Sequence, residues 1–251
     1  MAKVLLVHGA PGDARLWAPV IDAMDTRFDC HAITLSYFGV DDWPGDGSDF
    51  GTTLHKEDIV ALAEEIGGPL SLVAWSFGCH PALLAAIERP DLFAQVALYE
   101  PSLDSYVDDA DERADFAADT QAAFGPVFAA LQDGDTDAAL ELIFDNAAQQ
   151  GAYARLPEAR RAIYRDSMRA LPLLMGGGKP PVAITSDDLA GIGCPVTVAL
   201  GEHTRPMFAI PSRAVAKAIA GVCLREVPDA THMLPETDPQ RFAALLSEWL
   251  G

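Results

Sequence analysis

Leu70-Ser71-Leu72-Val73-Ala74-Trp75-Ser76-Phe77-Gly78 is the stretch on which the reading of the fold turns. Its first half is a short apolar run of strand type, and the residues from Gly78 to Glu88 carry a helical pattern. A strand that passes into a helix within two or three residues brings two backbones close together. The side chains two before and two after the corner must then be small, and here they are Ala74 and Gly78. Ser76 is left at the tip of the corner, at the carboxyl end of a buried strand. Parallel α/β sheets present their chemistry at that end.

Outward from this corner, short apolar runs alternate with helical patterns, the signature of βαβ units and a parallel sheet. Strands are expected at Lys3–Val7, Cys30–Leu35, Leu70–Ala74, Gln95–Tyr99, Val196–Leu200 and Cys223–Val227. Helices are expected at Leu16–Met24, Leu54–Ile66, Gly78–Glu88, Ser212–Ala220 and Pro239–Leu250. Residues 38–53, FGVDDWPGDGSDFGTT, read as a Gly/Asp-rich loop. Residues 102–185 break the alternation: they hold helix-like stretches at 110–132, 136–150 and 157–171 and no convincing strand. GGGKPP at 176–181 reads as a hinge or linker. The expectation is an α/β fold with a mostly parallel sheet of about six strands, split by a helical insertion.

Two further strings occur in a meaningful order. The first strand leads into His8-Gly9-Ala10-Pro11-Gly12, and the last expected strand is followed by Asp229-Ala230-Thr231-His232-Met233 and an amphipathic helix. With the corner at Ser76, these resemble the α/β-hydrolase superfamily: its nucleophile elbow G-x-S-x-G with Ala74 in place of the first glycine, its HG-x-x-G turn, and its late histidine. The resemblance covers 1–101 and 186–251 as an α/β-hydrolase core and implies that 102–185 is a helical cap. The superfamily's usual N-terminal antiparallel hairpin is missing from the pattern.

The resemblance implies roles. Ser76 is the nucleophile, His232 the general base, and the amides of Ala10 and Phe77 the oxyanion donors. His8 reads as a loop brace and His80 as a packing or capping residue, because a helix turns His80 away from the serine. The acid departs from the commonest pattern. Its usual place after Val196–Leu200, in a G-x-x-D string, is Gly201-Glu202-His203-Thr204, and threonine cannot support an imidazolium. A minority of the superfamily places the acid after the preceding strand, which here ends Tyr99-Glu100-Pro101. Glu100 keeps the chain order serine, acid, histidine; Glu202 is its rival, and a mere capping role for Glu100 stays open. Trp75, Met168, Leu173, Leu174 and Met175 are the expected apolar lining of a substrate pocket. No metal and no organic cofactor is implied.

The expected activity is hydrolysis of an ester, thioester or lactone through an acyl-enzyme. Carbon–carbon bond hydrolysis, cofactor-free perhydrolysis and non-catalytic small-molecule binding on the same scaffold remain alternatives. Dehalogenases and epoxide hydrolases of this superfamily attack with an aspartate at the elbow, so Ser76 argues against both.

Composition bounds the partners. The chain has 251 residues, half of them hydrophobic, with 17 basic and 37 acidic residues and a net charge of −20. Phosphate backbones and anionic lipid would repel it, so neither nucleic acid nor a membrane is an expected partner. A small apolar or amphipathic substrate is, and a homodimer is left open. Cys30, Cys79, Cys194 and Cys223 show neither CxxC spacing nor a disulfide framework, and the apolar run at the N-terminus is too short for a signal peptide. The expected compartment is the reducing cytoplasm. Acids crowd residues 104–119, and Arg155, Arg160, Arg161, Arg165 and Arg169 follow, the last three on one helix face by i,i+4 spacing. These arginines either receive an acidic substrate group or pair with acidic helices, and pairing is the favoured reading.

Overall fold

The computed structural model describes residues 1–251. In chain order the regular elements are β1 (Ala2–Val7), α1 (Ala18–Ala23), β2 (Phe28–Ile33), α2 (Thr52–Ile66), β3 (Leu70–Trp75), α3 (Cys79–Glu88) and β4 (Phe93–Tyr99). Then come α4 (Ala110–Gln132), α5 (Thr136–Ala147), α6 (Ala152–Arg155), α7 (Glu158–Ser167) and α8 (Ser186–Ala190). The chain closes with β5 (Val196–Gly201), α9 (Pro206–Ala218), β6 (Cys223–Val227), α10 (Leu234–Thr237) and α11 (Pro239–Trp249). The six strands form one sheet in the order β2-β1-β3-β4-β5-β6, and every neighbouring pair is parallel. No helix is long and apolar enough to cross a membrane.

Both faces of the sheet are covered, which is why its central strands are mostly apolar rather than alternating. All six residues of β3 are buried. Val73 and Trp75 face one apolar cluster of 35 buried residues, which runs from Trp17 and Phe242 into the helices of residues 110–171. Leu72 and Ala74 face a second cluster of 32, shared with Ile59 of α2, Leu83 of α3 and Val215 of α9.

Several elements shift from their expected bounds for local reasons. β2 starts at Phe28 because its pairing with β1 begins at Ala2 opposite Phe28. The helix expected over Leu16–Met24 divides into a 3-10 turn, Ala14–Trp17, and α1, with Pro19 in the first turn of α1. α9 starts at Pro206 rather than Ser212; a proline at the first helical position gives up an N–H that would have no partner anyway. Between β4 and β5 the chain forms the helices α4 to α8. GGGKPP, however, is laid on the core instead of hanging free. Lys179 N donates to Phe50 O at 2.7 Å, Val182 N to Thr52 Oγ1 at 3.0 Å, and His80 Nε2 to Val182 O at 2.7 Å.

The corner between β3 and α3 is as tight as its sequence requires. A Cβ on Gly78 would sit 2.4 Å from His8 O and 2.9 Å from Val7 Cγ1, so the loop after β1 fits against the elbow only through a glycine. Gly78→Ala should therefore lower stability by about 1–3 kcal/mol, since the contact is backbone and cannot swing away. The check is the urea midpoint of the purified variant; an unchanged midpoint would contradict so close an approach.

Candidate active site

Three strand ends converge above the sheet. At the end of β3, Ser76 adopts φ +56°, a left-handed conformation that lifts its side chain off the strand axis. At the end of β4, Glu100 likewise has φ +53° and is fully buried. The loop after β6 carries His232, also buried. His232 Nδ1 donates to Glu100 Oε2 at 2.6 Å, and Ser76 Oγ donates to His232 Nε2 at 3.0 Å. A carboxylate can only accept, so it fixes the tautomer: the proton is on Nδ1, and Nε2 is free to accept from the serine.

Other contacts hold this line of groups in place. Glu100 Oε1 accepts from Gly201 N at 2.7 Å, and Oε2 accepts a second bond from Thr204 Oγ1 at 2.7 Å. Thr204, at the position where the superfamily's acid usually stands, is thus a donor to the Glu100 carboxylate. Phe208 lies flat on the His232 ring, with centroids 3.6 Å apart and planes within 5°. Trp75 Nε1 donates to His232 O at 3.0 Å, and Tyr99 OH to Thr231 O at 2.7 Å. Glu202 is exposed and accepts from Asp229 N at 2.9 Å, away from the imidazole. Glu202, His203 and Asp229 each bring a ligand-type atom within 4.8 Å of the others, but all three are exposed and none lines the cavity over Ser76.

The other buried histidines do different work. His8 Nδ1 donates to Gly9 O at 2.8 Å and its Nε2 accepts from Leu35 N at 3.1 Å, bracing the loop after β1. His80 bonds the strap at Val182 and stacks on Tyr106. His55 Nε2 donates to Ser36 O at 3.2 Å. Burial lowers each of these three to a pKa of about 4, partly offset by the carbonyl each one bonds.

A cavity of about 210 Å³ opens over Ser76 and His232. Ala10 and Phe77 border it, as do Trp75 and Leu174 of the expected lining. Three expected lining residues are elsewhere. Met168 is packed in the apolar cluster beneath, Leu173 lies against Gly47 and Gly178, and Met175 is exposed. For Leu173 and Met175 the local cause is a wide turn, Leu173–Gly177, with Gly176 at φ +117°, which turns them from the side that Leu174 faces; Met168 lies before it, in a 3-10 turn. The wall comes instead from α4 (Ala123, Phe124, Val127) and α5 (Ile143, Phe144, Ala147), with Met207 and Phe208 of α9. Their i,i+3/i+4 apolar spacing is visible in the sequence, but it marks a buried face without distinguishing core from cavity.

The arginines of residues 155–169 are occupied. Arg160 Nε bonds Glu236 at 2.9 Å, Arg161 and Arg165 both hold Glu158, Arg155 bonds Gln150 O at 3.1 Å, and Arg169 bonds Asp41 O and lies over the Trp43 ring. None of them borders the cavity.

A family model described as "Alpha/beta hydrolase family" matches residues 4–245. The chain belongs to that family. Solved structures similar in fold include a thermophilic esterase from Thermogutta terrifontis (21% identity, TM-score 0.71, covering 100% of this chain and 89% of that one). They also include the enol-lactonase from Burkholderia xenovorans LB400 (16%, 0.75, 99% and 91%) and MenH from S. aureus (15%, 0.76, 99% and 93%). No curated protein sequence matches.

The buried histidines make stability depend on pH. His8, His55 and His80 are held near pKa 4 when folded, against an ordinary value of 6.5. Between those values the unfolded chain binds more protons than the folded one, so stability falls as the pH drops from about 6.5 to about 4. Above 6.5 these residues contribute no slope. His80→Gln removes one such proton and should flatten the fall by up to ~1.4 kcal/mol per pH unit. Urea unfolding of both proteins at pH 7, 6 and 5 measures it, and identical slopes would count against a neutral buried His80.

Proposed function

We propose that the chain is a serine hydrolase that cleaves a carboxylic ester, thioester or lactone through an acyl-enzyme. The observation that carries this reading is the continuous hydrogen-bonded line from Ser76 through His232 to the buried Glu100. Ser76 Oγ attacks the carbonyl carbon while His232 Nε2 takes its proton. The carbonyl oxygen becomes an oxyanion, and the backbone amides of Ala10 and Phe77, which border the same cavity, are the donors assigned to it. His232 then gives the proton to the leaving group. In the second half it activates water against the acyl-enzyme, and Ser76 is released. Glu100 holds the imidazole by its Nδ1–H and offsets the positive charge that forms at each stage.

The residue at the elbow supports acyl transfer over halide displacement, for which this superfamily uses an aspartate there. Carbon–carbon hydrolysis and perhydrolysis could use the same three groups. A non-catalytic binder is separated by a fluorophosphonate probe, which labels an activated serine and would leave a binder unmodified.

Ser76→Ala and His232→Ala should each reduce kcat on p-nitrophenyl esters by several orders of magnitude, because the groups act as a unit. Glu100→Gln keeps the shape and loses the charge, so kcat should fall by ~10²–10⁴ while Glu202→Gln stays near wild type. Near-full activity of Glu100→Gln would remove it from the assignment, and full activity of Ser76→Ala would end the serine-hydrolase reading.

A further inference from the structure

The wall of the cavity lacks charge. Of its 24 lining residues 16 are hydrophobic and none is Asp, Glu, Lys or Arg. Two arginines linked to its lining residues are closed into ion pairs. Arg205 reaches the lining residue Asn146 at 3.2 Å, but its guanidinium is held by Asp119 at 2.6 Å. Arg160 is held by Glu236, whose other donor is the hydroxyl of the lining residue Tyr164 at 2.7 Å. A substrate carboxylate in this space would lose its water and meet no counter-charge, at a cost far above that of an alkyl group. The net charge of −20 repels such an anion before it arrives.

The space itself is set by two small residues. Ala123 of α4 and Ala147 of α5 present only methyl groups to the cavity, among Phe124, Val127, Ile143 and Phe144. Asn146 Nδ2 donates to Ala123 O at 2.8 Å, which ties the two helices together at this level. They cannot spread to make room for a larger side chain at either alanine without breaking that bond.

We infer that the site takes an uncharged, mainly apolar acyl group whose chain lies between α4 and α5, and that Ala123 and Ala147 determine the length of chain that fits. This rests on the ester-cleaving reading for its chemistry, though not for its binding.

The charge half is tested on Ser76→Ala protein by calorimetric titration with methyl octanoate and with monomethyl octanedioate, which differ by a carboxylate at the far end of the chain. Methyl octanoate should bind at least ~100-fold more tightly. Equal affinities, or preference for the acid, would overturn the inference. The length half compares kcat/KM for p-nitrophenyl acetate and octanoate in wild type, Ala147→Leu and Ala123→Leu. Octanoate should lose at least ~10-fold with acetate within about threefold, since the added isopropyl group takes space between α4 and α5 that the proposal gives to the longer acyl chain. Parallel changes for both esters, in variants whose urea midpoints show them folded, would overturn it. If the wild type hydrolyses no ester, the ester reading fails by itself. Calorimetry of Ser76→Ala with and without Ala147→Leu, using methyl octanoate, then still decides this one: unchanged affinity refutes it, and a loss of at least ~10-fold upholds it.

Discussion

The buried carboxylate of Glu100 is the constraint around which the carboxyl edge of the sheet is arranged. It has no exposure to water, and an unmatched carboxylate in that position would cost several kcal/mol. Its two oxygens instead meet three donors: the amide ending β5, the Thr204 hydroxyl one turn later, and the imidazole of the loop after β6. One side chain thereby gathers three segments that are far apart in sequence. The backbone accommodates this at two close approaches. Glu100 itself takes a positive φ, and Gly201 leaves the space where a Cβ would lie 2.4 Å from Ala230 O. The loop bearing His232 is gripped from two more strands by Trp75 and Tyr99. Its position is thus fixed from several sides, which holds the imidazole 3.0 Å from Ser76 Oγ.

The helical insertion is tied to this same region. Asp119 of α4 takes both the Arg205 guanidinium and the Met207 amide, so an insertion carboxylate caps the first turn of α9. The next residue, Phe208, is the ring that lies on His232. On the other side, Arg160 of α7 reaches across to Glu236 of α10 and to the carbonyl oxygens of Arg15 and Leu16. Ion pairs of this kind add orientation more than net stability. Here they set where the apolar walls of α4 and α5 stand over Ser76, and they do so with the charges turned away from the cavity.

Much of this was legible in the sequence, and the limit is physical. The elbow could be read because steric demand at a tight corner selects small residues at fixed offsets, and Gly78 is required at 2.4 Å from a carbonyl. The carboxylate partner of His232 could be read because threonine at position 204 carries no charge and Glu100 ends the neighbouring strand. Thr204's own part as a donor could not be read, since a hydroxyl fits a surface loop equally well. The pocket wall was read poorly. Leu174 borders the cavity as expected, whereas Met168, Leu173 and Met175 do not, because apolar character alone does not separate a cavity wall from core or surface. The residues that do form the wall lie on α4 and α5, where an apolar stripe facing a cavity has the same pattern as one facing a core. Only the packing of one helix against another separates the two.

Histidine placement shows the same distinction between nearness in sequence and in space. His80 is four residues from Ser76 and His232 is far along the chain, yet the helix after the elbow carries His80 to the strap and Tyr106. His8, His55 and His80 each donate to a backbone carbonyl, and burial keeps them neutral. A histidine in that setting is a pin: protonating it would put a charge in the interior, against the desolvation that holds its pKa near 4. His232 alone among the buried histidines hydrogen-bonds a carboxylate, so a proton gained there would form a directly paired charge. Four imidazoles of similar burial therefore divide into three that fix loops and one able to carry a proton, and the partner on the far ring nitrogen makes the division.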